Sequence, residues 1–365
     1  MTEIETVVGL DIGGANIKAV KITHRLDGMS IEDVIREYTP LWIVGVEGLR
    51  EKISNIKKRL GVGSSPYLVG VCMTAELSDV FFSKAEGVNR VVDVVEEVFA
   101  DAAEIFYVNY NAELVTASRA RSNPIEIAAA NWAASAWILE NVVTRLGLEN
   151  AVFIDIGSTS TTIIPLVNGK ATVRGRTDPE KLLFGELVYV GTLRTDVSSL
   201  IDKAPYKGFY VGICRERFSL VGDAQLILGY IRPEDYTSDT ADGRGKSVAE
   251  ALARLARVVC ADSSMISLAE GKEIARYIYE KQVFKVFEAL IQIRSWISSK
   301  GIDLDGFAAI IAGTGKHIAF EAARRAGFER IVDIDHVLGK PLASVIPAYG
   351  AALMVLSWNE NAGSS

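Results

Sequence analysis

Two stretches of the chain place a carboxylate at the end of an apolar run with glycine just after it: Asp11-Ile-Gly13-Gly14-Ala-Asn16-Ile-Lys18 and Asp155-Ile-Gly157-Ser158-Thr159-Ser160-Thr161. Glycine lets the backbone N–H groups of a turn come close to an anion, and a neighbouring aspartate can hold Mg²⁺ directly or through water. Magnesium takes few carboxylates and readily takes phosphate oxygens, so these loops suit the handling of a phosphate or diphosphate. Either loop alone also reads as a tight hairpin whose Asp caps a turn. Hairpin chemistry does not require an Asp at the same offset twice, and the recurrence favours the phosphate reading. The hydroxyls of Ser158, Thr159, Ser160 and Thr161 add donors in the second loop. A third loop, Gly313-Thr314-Gly315-Lys316, follows an apolar strand and precedes a helix. The N–H groups at a helix start favour an anion or the sugar-phosphate of a nucleotide, and the plain alternative is a β–α turn.

Other residues qualify by type. Glu76 and Asp79 follow a strand end and are candidate general bases, although Glu76 equally suits the positive end of a helix. Lys18, Arg174 and Arg176 are candidate phosphate cations, arginine being suited to bidentate contacts. Arg174 and Arg176 alternate, which predicts one shared strand face, where a surface ladder is the other reading; a solvated side chain is the other reading of Lys18. Asn131 is a candidate substrate contact, whereas Trp132 and Trp137 lie on a helical apolar stripe and are assigned to the core. Tyr189 could contact an aromatic substrate, with packing as the default reading.

The elements that must position these residues follow from periodicity. Apolar runs predict strands over 6–12, 17–22 and 31–38, a helix over 47–60, a strand over 67–73, a helix over 91–102 and a strand over 105–108. A long helix is predicted over 123–146, with Asn123 as cap and Pro124 in its first turn. That order is βββαβαβα. A second strand–Asp–Gly–strand unit begins at Ala151, about 144 residues after the first, so the chain reads as two topologically related α/β halves with a cleft between them. The expected boundaries are 1–150 and 151–346, with a closing helix at 347–358 returning to the first half. Within the second half, 181–190, 247–259 and 266–299 read as helices, 306–311 and 330–334 as strands, 237–246 as a mobile surface loop and 358–365 as a frayed tail.

The chain has 365 residues, 49% of them hydrophobic and 23% charged, which is enough to bury a large core. Lys+Arg 39 against Asp+Glu 46 gives a net charge of -7 without a basic block, so nucleic acid is not an expected partner. Cys72, Cys214 and Cys260 form no CxxC pair and are odd in number, which fits free thiols in a reducing compartment. Three histidines, His24, His317 and His336, leave little for a zinc site. The N-terminus is acidic where a secretory signal is basic, and no apolar run reaches the roughly 18 to 20 residues of a membrane span; a cytoplasmic location is expected.

Taken in order, the three glycine loops and Pro347-Ala-Tyr-Gly-Ala-Ala resemble the actin-like ATPase (ribonuclease H-like) superfamily of sugar kinases, heat-shock chaperones and the hydantoinase/oxoprolinase group. By that resemblance residues 11–18 and 155–162 are the two phosphate loops and residues 313–316 the adenosine loop. A narrower resemblance is carried by Val71-Cys-Met-Thr-Ala-Glu76-Leu-Ser-Asp79, Asn131-Trp132 and Arg174-Gly-Arg176-Thr-Asp-Pro-Glu-Lys-Leu-Leu-Phe-Gly185-Glu186-Leu-Val-Tyr189-Val-Gly191, with Ala75 in place of an expected glycine and Cys72 in place of an expected apolar residue. It is to the tetrahydromethanopterin-linked one-carbon pathway family, which includes methanofuran-forming transferases. The resemblance implies that an aminomethylfuran-methyl diphosphate is joined to the phenol of γ-glutamyltyramine and diphosphate is expelled. Loss of diphosphate leaves a resonance-stabilised cation, so the requirement is to neutralise the leaving group. Mg²⁺ near Asp11 and Asp155, the N–H groups of Gly13, Gly14 and Gly157, and one of Lys18, Arg174 or Arg176 would supply this. Glu76 or Asp79 would take the phenol proton. An ATP-dependent small-molecule kinase, with Asp79 or another carboxylate activating a hydroxyl, and a nucleotide-gated regulator without net chemistry are the alternative readings.

Overall fold

The computed structural model describes residues 4–25 and 28–363. The chain forms two compact units: residues 1–149, 166–180 and 335–365 make up the first, residues 150–165 and 181–334 the second.

Unit 1 is built on a six-stranded sheet of β1 (Thr6–Ile12), β2 (Asn16–Arg25), β3 (Gly28–Tyr38), β4 (Tyr67–Met73), β5 (Glu104–Val108) and β6 (Leu114–Val115), in the order β3-β2-β1-β4-β5-β6. β1 runs antiparallel to β2 and parallel to β4, and β4 is parallel to β5. β4 is buried along its whole length, and β1 at all but its first residue, as expected of central strands covered on both faces. One cover is the helix Leu41–Leu60, whose Leu49, Ile53, Ile56 and Leu60 recur at helical spacing and which ends on a left-handed Gly61. It starts earlier than the predicted 47–60 because a short first turn joins it across a break at Gly45. On the sheet lies the closing helix Ile346–Gly363. A Cβ at Gly70 would come within 2.6 Å of the Ala351 carbonyl, and one at Gly9 would collide with that of Ala348. Glycine here permits a close helix–sheet approach, while Gly350 does the same against Ala134 of the helix Asn131–Arg145.

Several expected elements are corrected in this unit. The helix placed at 91–102 is Lys84–Val98, because Ser83 caps it by accepting from the Glu86 N–H. The single helix expected over 123–146 is two, Pro124–Ile127 and Asn131–Arg145, separated by Ala129 in the left-handed region (φ +54), and Asn123 makes no side-chain cap bond. Alanine is the best helix former, so nothing local announces that break; tertiary packing imposes it. Nor is the tail frayed over the described residues: Trp358 packs at a tilt against Phe106 with ring centroids 4.5 Å apart, and Asn359 donates to the Ile4 carbonyl. The last two residues of that tail, and the first three of the acidic N-terminus, lie outside the described residues.

Unit 2 has a sheet of β7 (Ala151–Ile156), β8 (Thr161–Val167), β10 (Leu187–Val188), β13 (Ala308–Gly313) and β14 (Arg330–Asp333), ordered β10-β8-β7-β13-β14; β8 ends in unit 1, where Leu166 and Val167 pair with a two-residue β9 (Lys170–Ala171). β13 is parallel to both β7 and β14, so the Asp155-bearing strand neighbours a parallel strand as the Asp11-bearing strand does. A separate hairpin joins β11 (Lys203–Tyr206) to β12 (Phe209–Gly212). The helix expected over 181–190 is Asp178–Phe184: Gly185 at φ +72 ends it, and Leu187 and Val188 pair with Thr162 and Thr161. Tyr189 is correspondingly exposed rather than packed. The segment expected to be a mobile loop is pinned, because the buried Arg254 bonds Asp223, Asp242 and the Gly245 carbonyl while Arg257 also reaches Asp242. Buried charge of this kind must be paired, which fixes the loop around it.

Candidate active site

At the carboxyl ends of β1 and β4, where open α/β sheets hold ligands, two turns meet. The first is the Asp11 loop. Asp11 lies opposite Cys72 in the parallel register, and the Thr74 N–H donates to the Ile12 carbonyl at 2.9 Å, tying the loop to the turn that follows β4. The Asp11 carboxylate is buried; Oδ2 accepts from Lys18 Nζ at 2.9 Å, while Oδ1 has no hydrogen-bond partner. Lys18 is therefore paired with Asp11 and not simply solvated. Burial first, and the Asp11 charge second, push the Cys72 thiol well up, so it is no nucleophile.

The second turn carries Glu76, in the single helical turn Ala75–Leu77. A Cβ on Gly87 of the helix Lys84–Val98 would lie 2.6 Å from Glu76 Cα, so this glycine admits the turn against the helix. Glu76 is buried and no side chain hydrogen-bonds either carboxylate oxygen. Lys84 Nζ stands 4.0 Å from Glu76 Oε1 and 2.5 Å from Asp178 Oδ2. Desolvation raises the Glu76 carboxyl to about 7; its own N–H, Lys84 and the Ala129 N–H oppose this, and Asp178 adds to it. The left-handed Ala129 thus has a local consequence: it turns an amide toward the buried carboxylate. Asp79, three residues on, is exposed and lacks such an environment, which separates the two sequence candidates for a base.

The remaining candidates of unit 1 sit as follows. Asn131 is the half-buried first residue of its helix. Arg174 and Arg176 do not share a strand face, because residues 172–177 are irregular; Arg176 is exposed and lies over the Tyr110 ring at 5.4 Å, and its N–H donates to Glu180. Gly13 spends its N–H on the Asn16 carbonyl, closing the turn, so this amide is not free for an anion as expected. A cavity of about 260 Å³ between the helices Asn131–Arg145 and Ile346–Gly363, lined by Trp137, Arg145, Tyr349 and Leu353 among others, includes none of the predicted site residues.

In unit 2 the second and third glycine loops adjoin. A Cβ on Gly313 (φ +85) would collide with the Ile156 carbonyl and Asp155 Oδ1, and the Gly315 N–H donates to Ile156. Several donors expected for phosphate are already committed. The Gly157 N–H closes its turn on Ser160, and the buried Thr161 hydroxyl donates to the Val190 carbonyl at 2.7 Å. Thr159 accepts from Arg194, and Ser158 offers its carbonyl to Leu193 and Arg194. Thr314 bonds Thr192, and Lys316 donates to both oxygens of Asp333 at 3.0 and 2.8 Å. Next to Lys316, His317 is pushed down to about 4 by burial and bonds Gln225 through Nε2 at 2.7 Å. The thiols of Cys214 and Cys260 face each other at 2.7 Å.

Sequence reasoning missed Lys84, Asp178 and Gly87. The available signal was Ser83-Lys84-Ala-Glu86, a cap followed three residues later by glutamate, which moves the helix start back to bring Lys84 beside Glu76. Among the described residues no group of three or more His, Cys, Asp or Glu side chains is arranged to hold a metal, and no helix is long and apolar enough to cross a membrane.

Mixed sheets with carboxylate-bearing loops at their strand ends define an α/β protein. The chain matches the hydantoinase/oxoprolinase family over residues 68–359 and belongs to that family. A Methanocaldococcus jannaschii protein named "(4-{4-[2-(gamma-L-glutamylamino)ethyl]phenoxymethyl}furan-2-yl)methanamine synthase" is 33% identical over 349 residues, which cover 96% of this chain and 97% of that protein. A Methanococcus vannielii protein of the same name is 31% identical over 210 residues, 57% of this chain and 91% of that one. Among solved structures, a nucleotide-free acetone carboxylase, described as acting in ATP-dependent acetone carboxylation, superposes with a TM-score of 0.56 at 11% identity, over 95% of this chain and 70% of that chain. The expected α/β class and the expected enzymatic family both hold.

Proposed function

We propose that this chain is a transferase that joins the furan-methyl carbon of an aminomethylfuran-methyl diphosphate to the phenol oxygen of γ-glutamyltyramine, releasing diphosphate. The observation that carries the reading is the near full-length likeness to a protein whose name describes the resulting aryl-methyl ether. The local chemistry supports it. As the carbon–oxygen bond to diphosphate breaks, its electron pair leaves with the diphosphate; the phenol oxygen bonds to carbon, and its proton passes to Glu76. A carboxyl that titrates at about 7 is about half ionised at neutral pH, suited to accept a proton and then release it. Exposed Leu77, Val80 and Phe82 follow Glu76 and offer apolar contact for aromatic rings.

Asp11 fits a role in holding Mg²⁺, since its buried Oδ1 is unpartnered and magnesium takes few protein ligands besides phosphate oxygens. When bound there, the ion would neutralise charge on the diphosphate. Lys18 holds the other Asp11 oxygen and so orients the carboxylate. Asp155 is proposed as the phosphate-loop carboxylate of unit 2, and Gly14, Ser158 and Thr159 as loop-tip contacts. Nothing in the chemistry requires ATP.

The test is to incubate the purified protein with both substrates and Mg²⁺ and follow ether and diphosphate together. Ether formation without ATP supports the reading. Phosphoryl transfer from ATP to a hydroxyl acceptor, with no ether, overturns it in favour of a kinase.

A further inference from the structure

Glu76 is buried without a side-chain hydrogen-bond partner on either oxygen, an arrangement that costs stability and persists only where surrounding groups hold it. The charged groups that act on it are Lys84, from the first turn of the helix Lys84–Val98, and Asp178, from the first turn of Asp178–Phe184; the helix break at Ala129 contributes an uncharged N–H. Glu86 is not among them, because its carboxylate accepts the Phe82 N–H instead. Lys84 Nζ is bonded to Asp178 at 2.5 Å and stops 4.0 Å short of Glu76. At that distance an ammonium favours the ionised carboxylate without occupying its lone pairs.

We propose that Lys84 is a positioning residue for Glu76 and that Asp178 is its anchor: the pair places one positive charge beside the carboxylate while leaving both of its oxygens to receive a proton from substrate. The proposal rests on the reading of Glu76 as the base. If Lys84 bonded Glu76 directly, the carboxylate would be a spent ion pair; without Lys84, burial alone would keep it protonated. Asp178 therefore acts in two ways. It draws Lys84 away from Glu76, and its own charge opposes ionisation of Glu76.

The experiment follows the carboxyl carbon of Glu76 by ¹³C NMR in glutamate-labelled protein, with Glu76→Gln assigning the signal, so that the readout needs no substrate. The wild-type midpoint is expected at about 7. Lys84→Met should raise it by about one pH unit, the scale of an opposite charge within 4–6 Å. Lys84→Arg should restore it, and Asp178→Asn should lower it. A merely structural role for Lys84 and Asp178 predicts no opposed movement. Midpoints in Lys84→Met and Asp178→Asn that stay at the wild-type position overturn the proposal, even if Glu76→Gln has lost turnover. Midpoints that move as expected while Glu76→Gln turns over normally leave the positioning role standing and remove the reading of Glu76 as base.

Discussion

Glu76 combines full burial with missing side-chain partners, and the same physics sets its cost and its use. In the folded chain it holds its proton up to about 7, whereas an ordinary glutamate holds one to 4.5. Between those values the folded chain binds more protons than the unfolded chain, so stability falls as pH rises from 4.5 to 7 and the loss is complete above 7. A difference of this size corresponds to about 3 kcal/mol. Glu76→Gln is expected to raise the melting temperature at pH 8 and leave it nearly unchanged at pH 4.5, as read by thermal unfolding at the two pH values. Equal melting temperatures for variant and wild type at pH 8 would contradict the burial argument. Sequence alone identified Glu76 as a candidate, but not its distinction from Asp79. Spacing gives no burial, and only the turn against Gly87 separates a buried carboxylate from an exposed one three residues away.

At the scale of elements, the site depends on close approaches that only glycine allows. Gly87→Ala would push the Ala75–Leu77 turn off its helix, since the new methyl would sit 2.6 Å from Glu76 Cα. Overpacking of this sort costs about 1–3 kcal/mol, and displacement of the base should lower turnover at least tenfold. Denaturant unfolding and diphosphate release measure the two effects; wild-type values for both would show that the turn accommodates a methyl. Much of this level is legible in the sequence. The runs at 6–12 and 67–73 coincide with β1 and β4 because short, mostly apolar segments bounded by glycine or polar turns have few alternatives. The break at Ala129 and the early start at Lys84 are not legible from apolar periodicity. One rests on a tertiary override of alanine's helix preference, the other on a cap that lies outside the apolar stripe.

For the whole molecule, each unit carries its own pH signature. In unit 2, burial holds His317 neutral down to about 4, against 6.5 for an ordinary histidine. Between those values the unfolded chain binds the extra proton, so this contribution to stability is present above 6.5 and is lost as pH falls toward 4. It opposes the Glu76 effect over the same interval. His317→Gln, which keeps a partner for Gln225, should reduce the acid-side loss of stability in thermal melts between pH 6.5 and 4; an unchanged slope would show that other groups govern it. The α/β class, the repeated Asp-glycine loop and the family were legible in the sequence because they rest on long collinear motifs. The commitments of individual donors were not: Gly13, Gly157, Thr161 and Lys316 all looked available and are engaged within the fold.

In the proposed reaction a carboxylate takes the phenol proton during displacement of diphosphate. The most direct measurement is the pH dependence of ether formation by Glu76→Gln. An ordinary phenol ionises near pH 10, so an acceptor that arrives already deprotonated no longer needs the base. A loss of about 10² to 10⁴ relative to wild type is expected at pH 7, shrinking steadily toward pH 10. Wild-type turnover at pH 7, or a loss of constant size across the range, would contradict it.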